Sequence, residues 1–145
     1  TLINEAKKGK LPPFVDPHIS RDFVYVDDVV EAMIMVVASL GSSMSSRTRF
    51  GISNNKKQML NQVQHDRLFG EAFNICTGKK TTMKELAYVA KNLFKIKDEP
   101  QFGSMKNRDW DLKDWYGNPT KIQKVFGWKT KISLKEGLRK IFLKY

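Results

Sequence analysis

The chain has 145 residues, 41% hydrophobic and 11% aromatic, which suits one domain that would bury about 70% of its unfolded surface. Its 26 Lys and Arg against 15 Asp and Glu give a net charge of +11, which favours nucleic acid, anionic lipid or phosphorylated small molecules as partners. The basic residues are scattered singly, so a solvated basic surface is favoured over a nucleic-acid site, and nucleic acid is an unlikely partner.

Membrane, disulfide and metal-binding classes are disfavoured by the same sequence. No stretch approaches the ~20 apolar residues of a membrane span, and the N-terminus lacks the plan of a signal peptide. The single cysteine, Cys76, excludes an intramolecular disulfide and is expected to be a buried, inert thiol in a reducing cytoplasm. His18 and His65 have no Cys, His or carboxylate cluster at ligand spacing, so no metal site is predicted.

The first 42 residues predict two helices separated by extended chain. An apolar stripe at helical spacing over residues 2–6 predicts a helix that ends at Gly9. Residues 11–18 contain three prolines, which exclude a central helix or strand and predict a loop or edge segment. The β-branched and aromatic run at residues 23–26 predicts a short strand.

A longer helix is predicted directly after that strand. Asp27 or Asp28 is expected to be its N-cap, and the helix is expected to continue through Ala38. Its apolar residues are expected to be buried on one face: Val29, Val30, Met33, Ile34 and Val37.

Residues 43–69 change in character, to Ser, Asn, Lys and Gln. A connector of this length is unusual, because most links in compact domains are about 4 to 6 residues long. The stretch K-Q-M-L-N-Q-V-Q-H-D at residues 57–66 resembles peptides translated from small palindromic repeat elements that insert in frame into certain bacterial genes. An inserted repeat and a naturally long polar loop both predict a segment that is exposed, mobile and outside the core.

The remainder, residues 70–145, predicts one strand and three helices. Residues 72–76 form an apolar run typical of a strand. Capping boxes that start at Thr82 and Ser133, T-x-x-E and S-x-x-E, predict the beginnings of two helices. Pro119 at the first helical position predicts the third.

Three signatures follow one another in this order. They are R-D-F-V-Y-V-D-D-V-V-E-A at residues 21–32, G-E-A-F-N-I-C-T-G at residues 70–78, and N-P-T-K…F-G-W at residues 118–128. Their order and offsets resemble the C-terminal, substrate-binding part of the NAD-dependent epimerase/dehydratase family, the extended short-chain dehydrogenases that act on nucleotide-diphosphate sugars. The resemblance implies an α/β fold: the substrate lobe of that fold, without most of the Rossmann domain, formed by residues 1–42 and 70–145.

Two family motifs are absent from these residues. No G-x-x-G-x-x-G occurs, so no backbone turn seats a dinucleotide pyrophosphate, and no Y-x-x-x-K supplies the catalytic tyrosine and lysine. The intact family enzymes use NAD or NADP, whereas this chain is expected to hold no cofactor and no catalytic residue by itself. Two origins fit the absence of these motifs: a decayed gene remnant, or a chain that pairs with a separately encoded N-terminal Rossmann half. Whether the chain acts in an enzyme stays open.

The resemblance implies substrate-binding roles for three residues. Arg21 of R-D-F would reach the diphosphate of the sugar nucleotide, since a guanidinium fork suits bidentate phosphate contacts. Arg108 of R-x-x-D would be the second phosphate ligand, and Asp111 would orient it or meet a hydroxyl. The structural alternatives are a surface ion pair for Arg21 and an exposed loop salt bridge between Arg108 and Asp111. Lys121 of N-P-T-K is interpreted as a first-turn surface lysine.

Aromatic residues give the competing hypothesis of a small basic nucleic-acid-binding or interaction module. Aromatics interleaved with Lys and Arg can stack on single-stranded bases, and here they include Trp110, Trp115 and Tyr116. Trp128 lies in F-G-W, which is a packing motif in the family. For Trp110 and Trp115, the core and the lining of a sugar-nucleotide pocket remain equal alternatives.

Overall fold

The computed structural model describes residues 2–47, 70–105 and 112–144, with residues 40–47 described by their backbone alone. Within these ranges the chain forms a mixed α/β structure of helices around a small sheet. Its elements in chain order are α1 (Leu2–Lys7), β1 (Ser20–Arg21), α2 (Val26–Arg47), β2 (Thr81–Thr82), α3 (Met83–Phe94), β3 (Asp114–Trp115), α4 (Thr120–Phe126) and α5 (Leu134–Lys144).

The sheet has β1 at its centre, in the order β2-β1-β3. Ser20 pairs with Thr82 in an antiparallel register and with Asp114 in a parallel one. The side chain of Ser20 is fully buried, and its hydroxyl donates to Oδ1 of Asp114 over 2.7 Å. In the described part of the chain, the proline-containing stretch has no strand and one isolated β-bridge, from Phe14 to Phe102, which agrees with a loop or edge segment.

The predicted strands at residues 23–26 and 72–76 are wrong as strands. Within the described ranges, residues 22–25 and 71–75 do not pair with a neighbouring strand. Strand pairing occurs instead at Ser20–Arg21. A β-branched or apolar run indicates extended chain and burial, but a strand also needs a hydrogen-bonding neighbour. The composition of a run does not specify that neighbour.

The longer helix was predicted correctly, but its limits and its buried face were not. α2 runs from Val26 to Arg47, so Asp27 and Asp28 lie inside its first turn, and it continues beyond Ala38 into the stretch predicted to be an insert. Four of the five residues expected to be buried are exposed by 46–67%, namely Val30, Met33, Ile34 and Val37. Because α2 is apolar on more than one side, its periodicity did not distinguish the face that packs on the core.

The core lies between α2, α4 and the segment that follows α4. Ala32, Ile122 and Trp128 are almost completely buried and form its centre. Partly buried apolar residues pack around them: Met35, Phe73, Ile75 and Phe126. The indole N–H of Trp128 donates to the backbone carbonyl of Asp28 over 3.1 Å, so the F-G-W tryptophan is a packing residue, as predicted.

Local side-chain caps explain where two of the helices begin. At α3, the hydroxyl of Thr82 accepts from the N–H of Glu85 over 3.1 Å, and the Glu85 carboxylate accepts from the N–H of Thr82 over 2.7 Å. The backbone N–H of Thr82, followed by its hydroxyl, lowers the pKa of Glu85. At α5, the hydroxyl of Ser133 accepts from the N–H of Glu136 over 3.3 Å. Both predicted helices are therefore confirmed.

The other two predicted helices are confirmed within one or two residues. α1 ends at Lys7, and Gly9 follows with a φ of 74°. α4 begins at Thr120, one residue after the predicted Pro119, and the side-chain oxygen of Asn118 accepts from the N–H of Thr120 over 2.9 Å. No helix in the described parts of the chain is long and apolar enough to cross a membrane.

Candidate functional site

A cleft of about 430 Å³ opens where three segments of the chain converge. Its lining residues come from 21–24, from 73–76 and from 115–117. The first two segments belong to two of the signature sequences, and the third directly precedes the last signature. The signatures are far apart in sequence, and folding brings parts of them to one cleft.

Arg21, the last residue of β1, lies in this cleft with its guanidinium held in place. Its Nη1 donates to the backbone carbonyls of Ser20, over 2.7 Å, and of Leu112, over 3.0 Å. The guanidinium carbon also lies 5.9 Å from the centre of the Trp115 ring. Two carbonyl acceptors and one aromatic neighbour fix the plane of this cation, which reduces the entropy that binding an anion would cost.

Asp22 connects the three segments that line the cleft, a role that the sequence did not indicate. Its Oδ1 accepts from the N–H of Thr77 over 2.9 Å and from the Thr77 hydroxyl over 2.5 Å. Its Oδ2 accepts from the N–H of Gly78 over 3.0 Å, with the N–H of Gly117 at 3.5 Å. A carboxylate, which can only accept hydrogen bonds, next to a turn was the one sign of this role in the sequence. Its partners lie 55 to 95 residues away, so the sequence did not identify them.

Cys76 and Gly117 meet at the floor of the cleft. The cysteine is 7% exposed, which confirms the predicted buried thiol. Burial raises the pKa of the Cys76 thiol, and the nearby carboxylate of Asp22 raises it further, so the reactive thiolate is disfavoured. A Cβ added at Gly117 would lie 2.6 Å from the sulfur, so only glycine permits this close approach.

One wall of the cleft is aromatic. Trp115 is 60% exposed and Tyr116 is 54% exposed, and both line the cleft. Of the two alternatives for Trp115, the structure therefore supports the pocket lining. The preceding residue, Asp114, holds this strand in place through Lys80 and Ser20, and these two contacts, Lys80 first, lower the pKa of its carboxyl group.

Arg108, Asp111 and Trp110 lie outside the described residues, so their predicted roles stay predictions. The chain re-enters the described part at Leu112, whose carbonyl accepts the hydrogen bond from Arg21. Among the described residues, no group of three or more His, Cys, Asp or Glu could hold a metal ion.

Lys121 is confirmed as a surface lysine. Its side chain is 47% exposed and forms an ion pair with Glu71. Its Nζ also donates to the carbonyl of Ala72 over 2.8 Å and lies 4.8 Å from the centre of the Phe73 ring. The N-P-T-K lysine therefore fastens the start of the second signature onto α4.

Known proteins are similar to this chain in sequence and in fold. Residues 1–141 match the family model described as GDP-mannose 4,6 dehydratase. A curated UDP-glucose 4-epimerase from Mycolicibacterium smegmatis is 28% identical over 127 residues, which are 88% of this chain and 31% of that protein.

Two solved structures are also similar to this chain in fold. The UDP-glucose 4-epimerase of Thermotoga maritima, crystallised with UDP-glucose, superposes with a TM-score of 0.67 and 25% identity, over 98% of this chain and 37% of that one. The UDP-glucuronic acid 4-epimerase of Bacillus cereus, in complex with UDP-glucuronic acid and NAD, gives a TM-score of 0.67 at 17% identity over 97% of this chain and 37% of that one, a likeness of fold alone.

The match therefore includes nearly the whole chain but only about a third of each relative, between 31% and 37% of its length. The predicted α/β fold, that of part of an extended short-chain dehydrogenase, is confirmed. With a family model matched over residues 1–141, this chain belongs to the GDP-mannose 4,6 dehydratase family, within the NAD-dependent epimerases and dehydratases of nucleotide sugars.

Proposed function

We propose that this chain supplies the nucleotide-diphosphate-sugar-binding lobe of a NAD-dependent sugar-nucleotide epimerase or dehydratase. The observation that carries the proposal is the cation of Arg21, fixed in a cleft that two of the family signatures line and that has an aromatic wall. The volume of about 430 Å³ falls within the range of small-molecule sites, roughly 300 to 1,000 Å³.

The chemistry of the cleft suits a diphosphate that joins two rings. A planar guanidinium can make two parallel hydrogen bonds to phosphate oxygens. The exposed faces of Trp115 and Tyr116 can pack against a flat base or the apolar face of a sugar. The related enzymes of Thermotoga maritima and Bacillus cereus carry UDP-glucose and UDP-glucuronic acid, which are ligands of this class.

We assign the second phosphate contact to Arg108 and propose that Asp111 orients it or binds a hydroxyl. Arg108 precedes Leu112 by four residues in the sequence. Leu112 in turn is hydrogen-bonded to Arg21. A second cation close to the first would hold the two charges of a diphosphate from both sides.

The cofactor does not fit the residues that the structure describes. A dinucleotide pyrophosphate needs a glycine-rich turn between a strand and a helix. The turn from β1 to α2 is Asp22 to Tyr25, which contains no glycine, and β2 leads directly into α3, where Thr82 already caps the helix. The NAD or NADP of the family, the catalytic tyrosine and its lysine therefore come from outside these 145 residues.

We infer that a Rossmann half completes the enzyme, either in a longer polypeptide or as a separately encoded chain. By itself this chain would bind a nucleotide sugar weakly and catalyse no turnover. In the family, the cofactor oxidises the sugar at C4 before epimerisation, dehydration or reduction. The buried Cys76 suits the reducing cytoplasm, which we propose as its location.

Ligand titration of the Arg21→Ala variant tests the proposal. UDP-glucose, NAD and a random oligonucleotide are titrated separately into the wild-type chain and the variant, with binding followed by NMR. Loss of a charged hydrogen bond of about 1.5 to 3 kcal/mol would weaken UDP-glucose binding roughly 10- to 150-fold. Arg139→Ala is the matched control, because this exposed arginine on α5 is not among the residues that line the cleft.

Two results would contradict the assignment. One is an unchanged affinity for UDP-glucose in the Arg21→Ala variant. The other is a micromolar affinity of the wild-type chain for NAD, because we propose that the cofactor site lies outside this chain. Oligonucleotide binding that both arginine variants weaken equally would favour the basic nucleic-acid-binding module instead.

A further inference from the structure

The turn between β1 and α2, residues 22–25, contacts the C-terminal helix α5 on the side away from the cleft. Asp22 and Val24 line the cleft, whereas Tyr25, the last residue before α2, is not among the lining residues. The Tyr25 ring lies instead against Gly137 of α5. One side of the turn therefore forms the cleft, and the other side packs on α5.

Gly137 allows α5 to approach the Tyr25 ring closely. A Cβ added at Gly137 would lie 2.9 Å from Cδ2 and 3.6 Å from Cγ of Tyr25. Ordinary van der Waals contacts of a Cβ begin at 3.4 Å, so any larger residue would have to move the ring and the helix apart. Glycine is a poor helix former, and Gly137 is buried within α5. The close contact with the ring is thus the physical reason for a glycine at this position.

Helix α5 is itself fixed, which makes it a rigid support. The buried carboxylate of Asp28 accepts from the N–H groups of Lys131 and Ile132, over 3.1 Å each, and so attaches the chain before α5 to the first turn of α2. Further along α5, the ring of Phe142 stacks on Phe94 of α3 with the ring centres 4.4 Å apart. Because α5 is held at both ends, a clash with it would displace the turn.

We propose that the contact between Tyr25 and Gly137 positions the cleft, since it sets how far the turn lies from α5 and thereby where Asp22 and the adjacent Arg21 stand towards a bound diphosphate. This inference rests on the proposed function and adds two positioning residues, neither of which lines the cleft. Binding groups have to be held within about 0.5 Å of their productive geometry. The difference between 2.9 Å and 3.4 Å is of this size, so one methyl group added behind the turn is enough to disturb the cleft.

Gly137→Ala tests the contact through two measurements. The first is the NMR amide signals of Thr77 and Gly78, whose N–H groups donate to Asp22 over 2.9 Å and 3.0 Å and therefore report the position of the turn without any ligand. The second is a titration of the same samples with UDP-glucose. Arg139→Ala is the matched control, because Arg139 is exposed on the same helix and does not line the cleft.

We expect Gly137→Ala to shift both amide signals and to weaken UDP-glucose binding at least about fivefold, which is part of the contribution of one charged hydrogen bond. The control should change neither. Tyr25→Val removes Cδ2 and so makes room for the added methyl group. In the Tyr25→Val background, Gly137→Ala should leave the affinity unchanged and raise the melting temperature, because alanine then only favours the helix.

This dependence on the ring separates positioning from a general loss of stability. If Gly137→Ala does not fold, Tyr25→Val alone provides the test, since a turn without its support should shift the same amide signals and bind UDP-glucose less tightly. The inference is overturned if the amide signals of Thr77 and Gly78 stay in place in the folded variant. It is also overturned if Gly137→Ala has the same effect with and without the Tyr25 ring.

The positioning contact and the proposed function fail independently. An unchanged UDP-glucose affinity in Gly137→Ala, where Arg21→Ala weakens binding, would refute only the positioning contact. An unchanged affinity in Arg21→Ala would refute the proposed ligand, and the amide signals would then still show whether the contact sets the position of the turn.

Discussion

Replacement of Asp22 should loosen the cleft more than any other single change to its lining. The Asp22 carboxylate accepts two hydrogen bonds from Thr77 and one from Gly78, and the N–H of Gly117 lies within 3.5 Å. Asp22→Ala removes every one of these acceptors. The three segments that line the cleft would then be held together only by packing.

The loss in stability follows from how exposed each bond is. A hydrogen bond to a charged group contributes about 1.5 to 3 kcal/mol. The two bonds from Thr77 are partly buried, whereas the bond from Gly78 is exposed, so water can replace it. Counting the two bonds from Thr77 and discounting them for partial exposure, we expect unfolding to become easier by about 2 to 4 kcal/mol. For a chain of this size that corresponds to roughly 4 to 16 °C in melting temperature.

Thermal and urea unfolding, followed by circular dichroism, measure this effect. Asp22→Asn should lower the free energy of unfolding by about half as much. The amide oxygen can still accept from Thr77, whereas the amide NH₂ group would face the N–H of Gly78 and cannot accept from it. Asp27→Asn is the control, since Asp27 is an exposed carboxylate five residues away. The reasoning is refuted if Asp22→Ala melts within about 1 °C of the control, or if Asp22→Asn is as damaging as Asp22→Ala.

Three further predictions concern the caps, the cleft floor and the polar stretch. Thr82→Ala removes a complete capping box and should lower the free energy of unfolding by about 1 kcal/mol in urea titrations, with Thr81→Ala as its control. Gly117→Ala places a Cβ 2.6 Å from the Cys76 sulfur and should cost about 1 to 3 kcal/mol, part of which Cys76→Ala should restore in a double-mutant cycle. Deletion of residues 48–66, which leaves α2 intact, should change the free energy of unfolding by under about 1 kcal/mol, whereas a collapse of the melting temperature would show that this stretch packs on the core.

The features that sequence predicted well are those with local causes. The helices at Thr82 and Ser133 were predicted because each cap joins residues three apart, so all the information lies in one short window. The burial of Cys76 was predicted from its apolar neighbours in the sequence, and that of Trp128 from the resemblance of its F-G-W motif to a packing motif of the family. Arg21 was predicted as a site residue from the resemblance of its motif, and it does lie in the cleft, although its ligand is still a proposal.

The features that sequence missed depend on contacts between distant segments. Strands β1, β2 and β3 have two residues each, which is too short for an alternating pattern to be visible. The anchoring role of Asp22 depends on Thr77 and Gly117, at separations of 55 and 95 residues. Composition alone could not have linked these positions.

The wrongly predicted face of α2 has a different cause. Periodicity shows how much of a helix is apolar, but it does not say which part of a protein covers each face. Ala32 and Met35 face the core, whereas Ile34 and its neighbours are apolar without any cover among the described residues.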